Sequence, residues 1–597
     1  NSTTNIMTSK RKTENVGEDV MEIMPLGAGN EVGRSSVWLK FKNKQVLFDA
    51  GVHPAHTGLA ALPYFDMIDD PAEIDVLLVT HFHLDHCASV PYFTEKTTFK
   101  GRIFMTHPTK AVFKLILSDF VKVSNISSSD DQLYTEQDLQ NCLDKIEVIN
   151  YHQEVEVNGI KFWCYNAGHV LGAAMFMVEI DDTRVLYTGD FSRQTDRHLM
   201  VAELPVVSPD VLIVESTYGK QVHEPREARE RRFTESVSGI VSKRRGRCLL
   251  PVFALGRAQE LLLILDEHWE AHPELHKVPI FYAGALAQRC MSIYQYYIYM
   301  MNERIRDQIA VNNPFKFKHI SHLKSINAFE DKGPCVVMAS PGMLQSGMSR
   351  ALFEMWCEDQ RNGLVIPGYV VEGTLAKDVI SEPSHIVKLN GLRAPLRMSV
   401  EYISFSAHSD FAQTSEFVDA LEPPHILLVH GEQTEMARLK GALVSKYKDR
   451  AVRVYNPKNC QSVQISFRSE KIAKTVGALA ASAPSEGDAV SGVLVRHHFS
   501  HRIMTPTDLR AFTQLQTSLV TQRLRVPFYR PFDAAHRALC RLFDSVRRTT
   551  VAPTASDADA DADELEAGAR GAGGDIELDD NDNDDDNDNS NNNNNAG

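Results

Sequence analysis

Short apolar runs that end in a polar residue recur along the chain and set its pattern. Five of them are KQVLFDAG, IDVLLVTH, TRVLYTGD, DVLIVEST and HILLVHGE, at residues 44–51, 74–81, 183–190, 210–217 and 425–432. Runs rich in Val, Ile and Leu and bounded by turn residues are typical of buried β-strands. Side chains at the ends of such strands lie at the rim of a sheet, where sites are built. The pattern therefore predicts that one rim carries the five terminal polar residues Asp49, His81, Asp190, Glu215 and His430.

The pattern changes between about residues 220 and 406, where strands alternate with amphipathic helices. The stretch RCLLPVFALGRAQELLLILDEHW at 247–269 predicts a strand, a turn and a helix. The stretch CVVMASPGMLQSGMSRALFEMW at 335–356 repeats that order. These units separate the fifth run from the first four. They therefore predict a second α/β domain inserted into the first, with a cleft between the two.

At 597 residues the chain is too long for one hydrophobic core. We expect six segments along it. They are a flexible N-terminus at 1–20, the first part of the main domain at 21–219, an inserted cap at 220–406, the return segment of the main domain at 407–472, a small C-terminal region at 473–550 and an acidic tail at 551–597. The tail is rich in Asp, Asn, Ala and Gly and nearly lacks core-forming residues, which predicts disorder.

Charge and cysteine content narrow the class of protein. Residues 551–597 hold fifteen Asp and Glu against one Arg, a charge of −14, so only −1 of the total −15 remains for residues 1–550. The acidity therefore does not argue against an RNA partner. Nine cysteines without a CxxC pair predict neither a disulfide framework nor a thiolate zinc site, and favour a reducing compartment. No apolar run approaches the roughly 18 residues of a membrane span, so we expect no membrane partner.

The densest candidate chemistry follows the second run, in VTHFHLDHCASV at residues 79–90. Alternate side chains of an extended segment share a face, so we expect His81, His83 and Asp85 to point the same way. The two imidazoles can hold one metal ion, and Asp85 with His86 can reach a second where the chain turns. Nitrogen and oxygen ligands without a thiolate suit zinc, with Mn²⁺ or Fe²⁺ as alternatives.

Further ligands for two ions come from distant parts of the chain. His169 in NAGHVLGAAM and Asp190 in YTGDFS are the best candidates. A single carboxylate can bridge two cations that lie about 3.5–4 Å apart, and Asp190 is placed for that role. His430 would complete the shell of the second ion. Asp49 is expected to fix a ligand imidazole by accepting its hydrogen bond.

Two more residues predict proton chemistry. Glu215 ends a strand in VESTYG, and His408 in FSAHSDFAQ is expected at the head of a helix. A carboxylate beside a histidine raises the pKa of the imidazolium and orients the ring, which prepares a general acid. Arg257 and Arg350 follow glycine-containing turns before predicted helices, where they could contact RNA phosphates; plain turn chemistry is the alternative.

These motifs resemble two nested families. HFHLDH at 81–86, with His169, Asp190 and Asp49, resembles the metallo-β-lactamase superfamily of dinuclear hydrolases. Glu215 in ESTYG, His408 in SAHSD and the LVHGE stretch resemble the additional motifs of the β-CASP nucleases. The stretches PLGAGNEVGRS, CYNAGHVLGAAMFM, YTGDFSRQTDRHLM and PVFALGRAQELLLILDE are similar to the endonuclease-subunit family of the cleavage and polyadenylation specificity factor. The resemblance covers about residues 21–550.

The resemblance implies an α/β fold: an αββα metallo-β-lactamase sandwich, an inserted Rossmann-like β-CASP cap and a small C-terminal region. It also implies a ligand set for two zinc ions. In that set, His81, His83 and His169 hold one ion, Asp85, His86 and His430 hold the other, and Asp190 bridges.

The activity implied is endonucleolytic cleavage of pre-mRNA in the nucleus during 3′-end processing. A hydroxide between the ions, with Asp85 among the catalytic residues, attacks the phosphodiester. His408, backed by Glu215, protonates the departing 3′ oxygen, which leaves a 3′-OH and a 5′-phosphate. The implied partners are other subunits of the cleavage and polyadenylation machinery, including the inactive paralogue subunit and a symplekin-like scaffold. The segment at 473–550 is the expected docking region.

Three alternatives stay open at this point. DNA-processing relatives share the first motifs, but His430 at the last one favours RNA. An Integrator-type RNA endonuclease shares every motif, so only HPAHTGLAALPYFD at 53–66 and DRHLMVAELP at 196–205 favour the polyadenylation subunit. A catalytically inactive scaffold paralogue would have lost ligands, whereas all seven are present here.

Overall fold

The computed structural model of the chain describes residues 18–127, 132–253, 255–405, 407–468, 473–481, 485, 487–497, 500–515, 527–543 and 545–547. They fall into two compact units, one within residues 1–515 and one within residues 516–597. The predicted flexible N-terminus, apart from its last three residues, and the predicted acidic tail lie outside the described residues. In the described part, no helix is long and apolar enough to cross a membrane.

The first part of the chain forms two groups of strands with helices between them. The strands are β1 (Glu18–Gly27), β2 (Ser36–Phe41), β3 (Lys44–Phe48), β4 (Val76–Leu78), β5 (Arg102–Thr106), β6 (Ile146–Ile149), β7 (Val155–Val157), β8 (Ile160–Asn166), β9 (Ala174–Ile180), β10 (Thr183–Tyr187) and β11 (Val211–Glu215). The helices are α1 (Leu84–Cys87), α2 (Val90–Lys96), α3 (His107–Ser127) and α4 (Glu136–Lys145).

The next part of the chain is a separate layered region that we call the cap. Its helices are α5 (Arg226–Ser238), α6 (Arg257–Ala271), α7 (Ala285–Tyr296), α8 (Glu303–Val311), α9 (Gly347–Trp356) and α10 (Leu375–Ile380). Its strands are β12 (Arg247–Pro251), β13 (Ile280–Ala283), β14 (Ile320–Leu323), β15 (Cys335–Ala339), β16 (Gly363–Ile366), β17 (His385–Val387), β18 (Arg393–Pro395) and β19 (Ser399–Tyr402). Six of these strands form a parallel sheet in the order β14-β13-β15-β12-β16-β19.

The chain then returns to the first region and completes it. This segment contributes α11 (Phe411–Leu421), β20 (His425–Val429), α12 (Gln433–Lys446), β21 (Arg453–Tyr455) and β22 (Val463–Arg468). The two resulting sheets have seven strands each, in the orders β22-β1-β2-β3-β4-β5-β6 and β21-β20-β11-β10-β9-β8-β7. Their facing surfaces bury one shared core that includes Phe48 and Phe104 from the first sheet and Phe176 and Leu427 from the second.

This arrangement confirms the predicted fold class. Two sheets pack face to face, α2, α3 and α4 cover the first, and α11 and α12 cover the second. The cap lies in sequence between β11 and β20, which are parallel neighbours in the second sheet. One expectation needs correction: the five apolar runs do not share one sheet. The first two form β3 and β4, while the other three form β10, β11 and β20 of the opposite sheet.

The described C-terminal residues are few. Within the first unit they form β23 (Ala473–Thr475), α13 (Ala478–Ala481), β24 (Val493–His497), β25 (Ser500–Met504) and α14 (Leu509–Phe512), with the strand order β23-β25-β24. In the described part of the second unit, α15 (Phe532–Leu539) leaves Phe532 and Leu539 exposed. Residues 516–526, which include Arg523 and Arg525, lie outside the described residues.

Candidate metal centre

The ends of strands from both sheets meet in one cluster of histidine and aspartate side chains. Asp49 directly follows β3 and His430 directly follows β20. Both residues have left-handed backbone, with φ of 59° and 53°. A left-handed residue after a strand turns the chain sharply, so each side chain is directed across the strand ends instead of continuing along the sheet. Non-glycine residues in this conformation are uncommon and cluster at functional sites.

The histidine-rich hexapeptide differs from the prediction in one respect. β4 ends at Leu78, and the short helix α1 begins at Leu84 with His83 as its N-cap. Asp85 is therefore on a helical turn, and the expected extended alternation from His81 to Asp85 is wrong. Successive helical residues project about 100° apart, which lets Asp85 and His86 approach a second group of ligands. A close backbone contact fixes this turn, since a methyl group built on Gly51 would lie 1.8 Å from the carbonyl oxygen of Asp85.

Three imidazoles and one carboxylate form the first group. Nδ1 of His83 lies 3.0 Å from Nε2 of His81 and 3.1 Å from Nε2 of His169. Oδ2 of Asp190 lies 3.6 Å from the Nε2 atoms of both His81 and His169. Burial lowers the pKa of His81 and His169 well below its usual range and lowers the pKa of His83 to about 4. These imidazoles are therefore neutral, as metal ligands must be.

The second group contains Asp85, His86 and His430. Nε2 of His430 lies 3.3 Å from Nε2 of His86 and 3.4 Å from Oδ2 of Asp85. Asp190 contacts this group as well, because its Oδ2 lies 3.3 Å from Nε2 of His86 and its Oδ1 lies 3.4 Å from Nδ1 of His430. Asp190 is thus the side chain that both groups share. Burial favours its protonated form, but the neighbouring His430 and His86 outweigh burial and hold the pKa of Asp190 well below its usual range.

Asp49 orients the imidazole of His86, a member of the second group, from outside the cluster. Its carboxylate accepts hydrogen bonds from the backbone N–H of Thr80 at 2.7 Å and from the hydroxyl of Tyr187 at 3.0 Å. Its Oδ2 also lies 2.9 Å from Nδ1 of His86, which leaves Nε2 of that ring directed into the cluster. On the other side, Nδ1 of His169 donates to the carbonyl of Ala407 at 3.0 Å. Such outer hydrogen bonds fix the tautomer and the orientation of metal-binding histidines.

The two groups fit divalent cations. Imidazole nitrogens that lie 3.0–3.3 Å apart with their lone pairs converging repel one another unless a proton or a cation lies between them. Oδ1 of Asp190 is buried and accepts no hydrogen bond from the described residues. A buried set of nitrogen and carboxylate oxygen donors without sulfur suits zinc, and also manganese or iron. The ligand atoms within each group lie within 4.8 Å of one another.

Beside the cluster, the buried Glu215 forms a pair with the partly buried His408. Oε2 of Glu215 lies 2.7 Å from Nδ1 of His408, and its Oε1 accepts the backbone N–H of Phe191 at 2.9 Å. Nδ1 of His408 lies 3.8 Å from Oδ2 of Asp190. Burial lowers the pKa of His408, but the charges of Glu215 and Asp190 outweigh burial and raise that pKa to about 9. Cations at the adjacent ligands would lower it again, because like charges repel.

The two arginines predicted to contact RNA are both engaged by the protein. Nη2 of Arg257 donates to the carbonyl of His169 at 3.2 Å and lies 2.8 Å from Oδ2 of Asp196. Arg350 is buried and donates to the carbonyls of Leu344 and Val387 at 3.3 Å and 2.7 Å. Contact with RNA stays a prediction for both, and the described hydrogen bonds give each a role in packing.

One further cluster was not predicted from the sequence. Nδ1 of the fully buried His198 lies 3.2 Å from Oδ1 of Asp196 and 3.3 Å from Oε2 of Glu260. Burial lowers the pKa of His198, but the two carboxylates outweigh burial and raise it to about 9. Arg257 pairs with Asp196, and Arg226 lies 3.4 Å from Glu260. Because cationic side chains already neutralise both carboxylates, the cluster is an ion-pair network that joins the main domain to α6 of the cap.

Four family profiles match successive parts of the chain. They are described as metallo-beta-lactamase superfamily domain (residues 38–212), Beta-Casp domain (258–379), Zn-dependent metallo-hydrolase RNA specificity domain (393–457) and pre-mRNA 3′-end-processing endonuclease polyadenylation factor C-term (488–567). The first two lie over the sandwich and the cap described above.

Full-length comparison finds close relatives. The chain is 58% identical over 543 residues to "Cleavage and polyadenylation specificity factor subunit 3-I" of Arabidopsis thaliana, covering 91% of this chain and 78% of the relative. It is 58% identical over 513 residues to "Cleavage and polyadenylation specificity factor 73" of Drosophila melanogaster, covering 85% and 75%. It is 53% identical over 516 residues to "Endoribonuclease YSH1" of Mycosarcoma maydis, covering 85% and 58%.

Proposed function

This chain belongs to the family of subunit 3 of the cleavage and polyadenylation specificity factor, and from that membership we propose how its residues cut pre-mRNA. The chain is a metal-dependent endoribonuclease of mRNA 3′-end processing. The observation that carries the mechanism is that two groups of candidate metal ligands share Asp190, directly beside the pair formed by Glu215 and His408.

The two alternatives, an Integrator-type enzyme and an inactive scaffold paralogue, are less favoured. The relatives at 50–58% identity carry names of the cleavage and polyadenylation factor or of an endoribonuclease, and the C-terminal profile is that of the polyadenylation endonuclease. An Integrator-type enzyme is therefore not supported. An inactive scaffold paralogue does not agree with endoribonuclease relatives and a complete set of candidate ligands.

We assign two zinc ions to the cluster. His81, His83 and His169 would hold one, Asp85, His86 and His430 would hold the other, and Asp190 would bridge. The matched Zn-dependent profile supports zinc, with Mn²⁺ or Fe²⁺ as alternatives. Bound there, the two cations would supply a Lewis acid that activates water and neutralises charge on the phosphodiester.

The chain's own residues supply the proton transfers. Burial favours protonated Asp85, but His86 and His430 outweigh it and hold the pKa of Asp85 well below its usual range. Asp85 is therefore an ionised acceptor for a proton of the attacking water. His408 is the general acid. Glu215 accepts a hydrogen bond from Nδ1–H of His408, so the proton on Nε2 is the one delivered to the departing 3′ oxygen. The products would be an upstream 3′-OH and a downstream 5′-phosphate.

The chain participates in the cleavage and polyadenylation complex and binds RNA. We propose that residues 473–550 dock the inactive paralogue subunit and a symplekin-like scaffold, and that the protein is nuclear, where pre-mRNA is made. We also propose the domain boundaries of the sandwich at 21–219 and 407–472 and of the cap at 220–406. The C-terminal profile at 488–567 supports the docking region.

The test is product analysis with matched RNA and DNA oligonucleotides and the zinc-loaded chain in its complex. The ends are identified by ligation and by phosphatase sensitivity. We expect cleavage of RNA only, with a 3′-OH and a 5′-phosphate. Equal cleavage of DNA would contradict the assignment of RNA as the substrate. A 2′,3′-cyclic phosphate end would contradict attack by water.

A further inference from the structure

Phe253 is an exposed aromatic residue at the carboxyl edge of the cap sheet. It follows β12, which ends at Pro251, and its side chain is 45% exposed. Its neighbours Val252 and Leu255 are both buried. Single exposed apolar residues are common on protein surfaces, so the exposure of Phe253 gains meaning only from what lies next to the ring.

The ring lies against the metal centre. Its centroid is 5.9 Å from that of the His83 imidazole, with 39° between the two planes. The turn that carries Phe253 approaches the ligands closely, because a methyl group built on Gly256 would lie 3.5 Å from Nε2 of His83. Phe253 is thus a cap residue whose side chain borders the ligand cluster of the main domain.

A glycine on the neighbouring strand turn lies beside the ring. β15 is the neighbour of β12, and Gly342 follows it. A methyl group built on Gly342 would lie 3.4 Å from an edge carbon of Phe253, which is an ordinary contact distance. The ring therefore has this turn of the cap and His83 as neighbours, while Phe253 remains 45% exposed.

We propose that Phe253 stacks on the base of one of the two nucleotides that flank the scissile phosphate. The inference rests on the proposed function and deepens it, because bound cations would hold the phosphate and a separate contact would position the flanking bases. Unpaired bases are held on aromatic side chains, and such stacking is tolerant of sequence because every base has a π-face. A phenyl ring without a hydrogen-bonding group suits a site that must position any base.

The test is a double-mutant cycle in which one change is made in the protein and the other in the RNA. The full chain in its complex carries Phe253→Leu, which keeps an apolar side chain, or Phe253→Tyr, which keeps the ring. Tyr296→Leu is the matched control, because Tyr296 is an aromatic residue of the cap that is 73% exposed on α7. The probes are a single-stranded RNA with a known cleavage position and the same RNA with one abasic residue on either side of that position. Both the cleavage kinetics and the dissociation constant of a non-cleavable analogue are measured.

We expect the abasic residue at one flanking position to weaken wild-type binding and raise KM about tenfold, with kcat changed less. On intact RNA, Phe253→Leu should weaken binding and raise KM by a similar factor. Replacing intact RNA by the abasic RNA should then weaken binding to this variant by less than twofold more. Phe253→Tyr should restore wild-type behaviour, and Tyr296→Leu should match wild type.

Two other results would overturn the inference. The first is that Phe253→Leu binds and cleaves intact RNA as well as wild type does. The second is that the abasic residue weakens binding to Phe253→Leu by the full factor seen in wild type, which would show that ring and base act independently. Because binding is measured separately, a wild-type chain that binds but does not cleave would contradict the proposed function while the stacking result still stands or falls by itself.

Discussion

Nδ1 of His408 lies 2.7 Å from Oε2 of Glu215, although 193 positions separate the two residues. Glu215 ends β11, His408 precedes α11, and the whole cap lies between them in sequence. The contact therefore closes the main domain across the insertion, beside the shared carboxylate of Asp190. A cap inserted at this point can change the access of RNA to the metal centre without interrupting either sheet.

Replacing Glu215 by Gln should lower kcat about 10²-fold or more with little change in KM. The amide keeps the shape of the side chain and can still accept from the backbone of Phe191, but it carries no charge to stabilise the imidazolium of His408. Single-turnover cleavage and metal content should be measured together. Glu203→Gln is the control, because Glu203 pairs with the exposed His152 at the surface. Unchanged kcat in Glu215→Gln would remove the pair from the mechanism.

Asp49→Asn should weaken metal binding about 10- to 100-fold, because Asp49 fixes His86 and is itself held by Thr80 and Tyr187. Competition with a chromogenic chelator measures the affinity directly. Asp75→Asn is a suitable control, since Asp75 accepts the backbone N–H of Gln45 on the same sheet. Equal affinity in wild type and Asp49→Asn would show that His86 needs no such support.

Arg257→Ala should destabilise the chain by about 1–3 kcal/mol, because Asp196 loses a partner while mostly buried. The midpoint of thermal unfolding reports this loss. Arg257 could act in packing or in contact with an RNA phosphate, and the salt dependence of RNA affinity distinguishes these two roles. Loss of a phosphate contact lowers the slope of the logarithm of RNA affinity against the logarithm of salt concentration by about 1. We expect an unchanged slope, as in the exposed control Arg304→Ala. A reduced slope would restore Arg257 as an RNA contact.

His198 should make stability depend on pH. Its pKa is raised from its usual 6.5 to about 9 by Asp196 and Glu260, so the protonated ring stabilises the fold. That contribution is complete below pH 6.5, declines as the pH rises, and is absent above about 9; its upper bound is about 3 kcal/mol. The thermal midpoint of wild type should therefore fall more between pH 6.5 and 9.5 than that of His198→Gln, with His152→Gln as the exposed control. Parallel curves would contradict a protonated His198.

Much of the fold followed from the apolar pattern. The five runs form β3, β4, β10, β11 and β20, as short apolar segments rich in β-branched residues and bounded by turn residues typically do. The strand, turn and helix order of the cap also appears, in β12 with α6 and in β15 with α9. The apolar pattern did not predict which strands pair with each other. Apolar periodicity does not encode which strand lies beside which, so the division of the five runs between two sheets could not be read from it.

The sequence selected residues that the structure brings together in one cluster, but it did not predict the geometry of that cluster. Residue type and position after a strand were enough to select His81, His83 and Asp190. The helical turn that carries Asp85 was missed, because the four residues of α1 are too few to show a helical period. The network of Asp196, His198 and Glu260 was missed for another reason. Its members lie on two domains, and Glu260 looks like an ordinary polar position of α6.

The most direct test of the dinuclear centre is a titration of the metal-free chain, in its complex, with Zn²⁺ while cleavage of a single RNA phosphodiester is followed. The account predicts that activity is absent without metal, is complete at two equivalents of bound zinc, and is not recovered at any zinc concentration in Asp190→Ala. Full activity at one equivalent, or cleavage by metal-free Asp190→Ala, would contradict it.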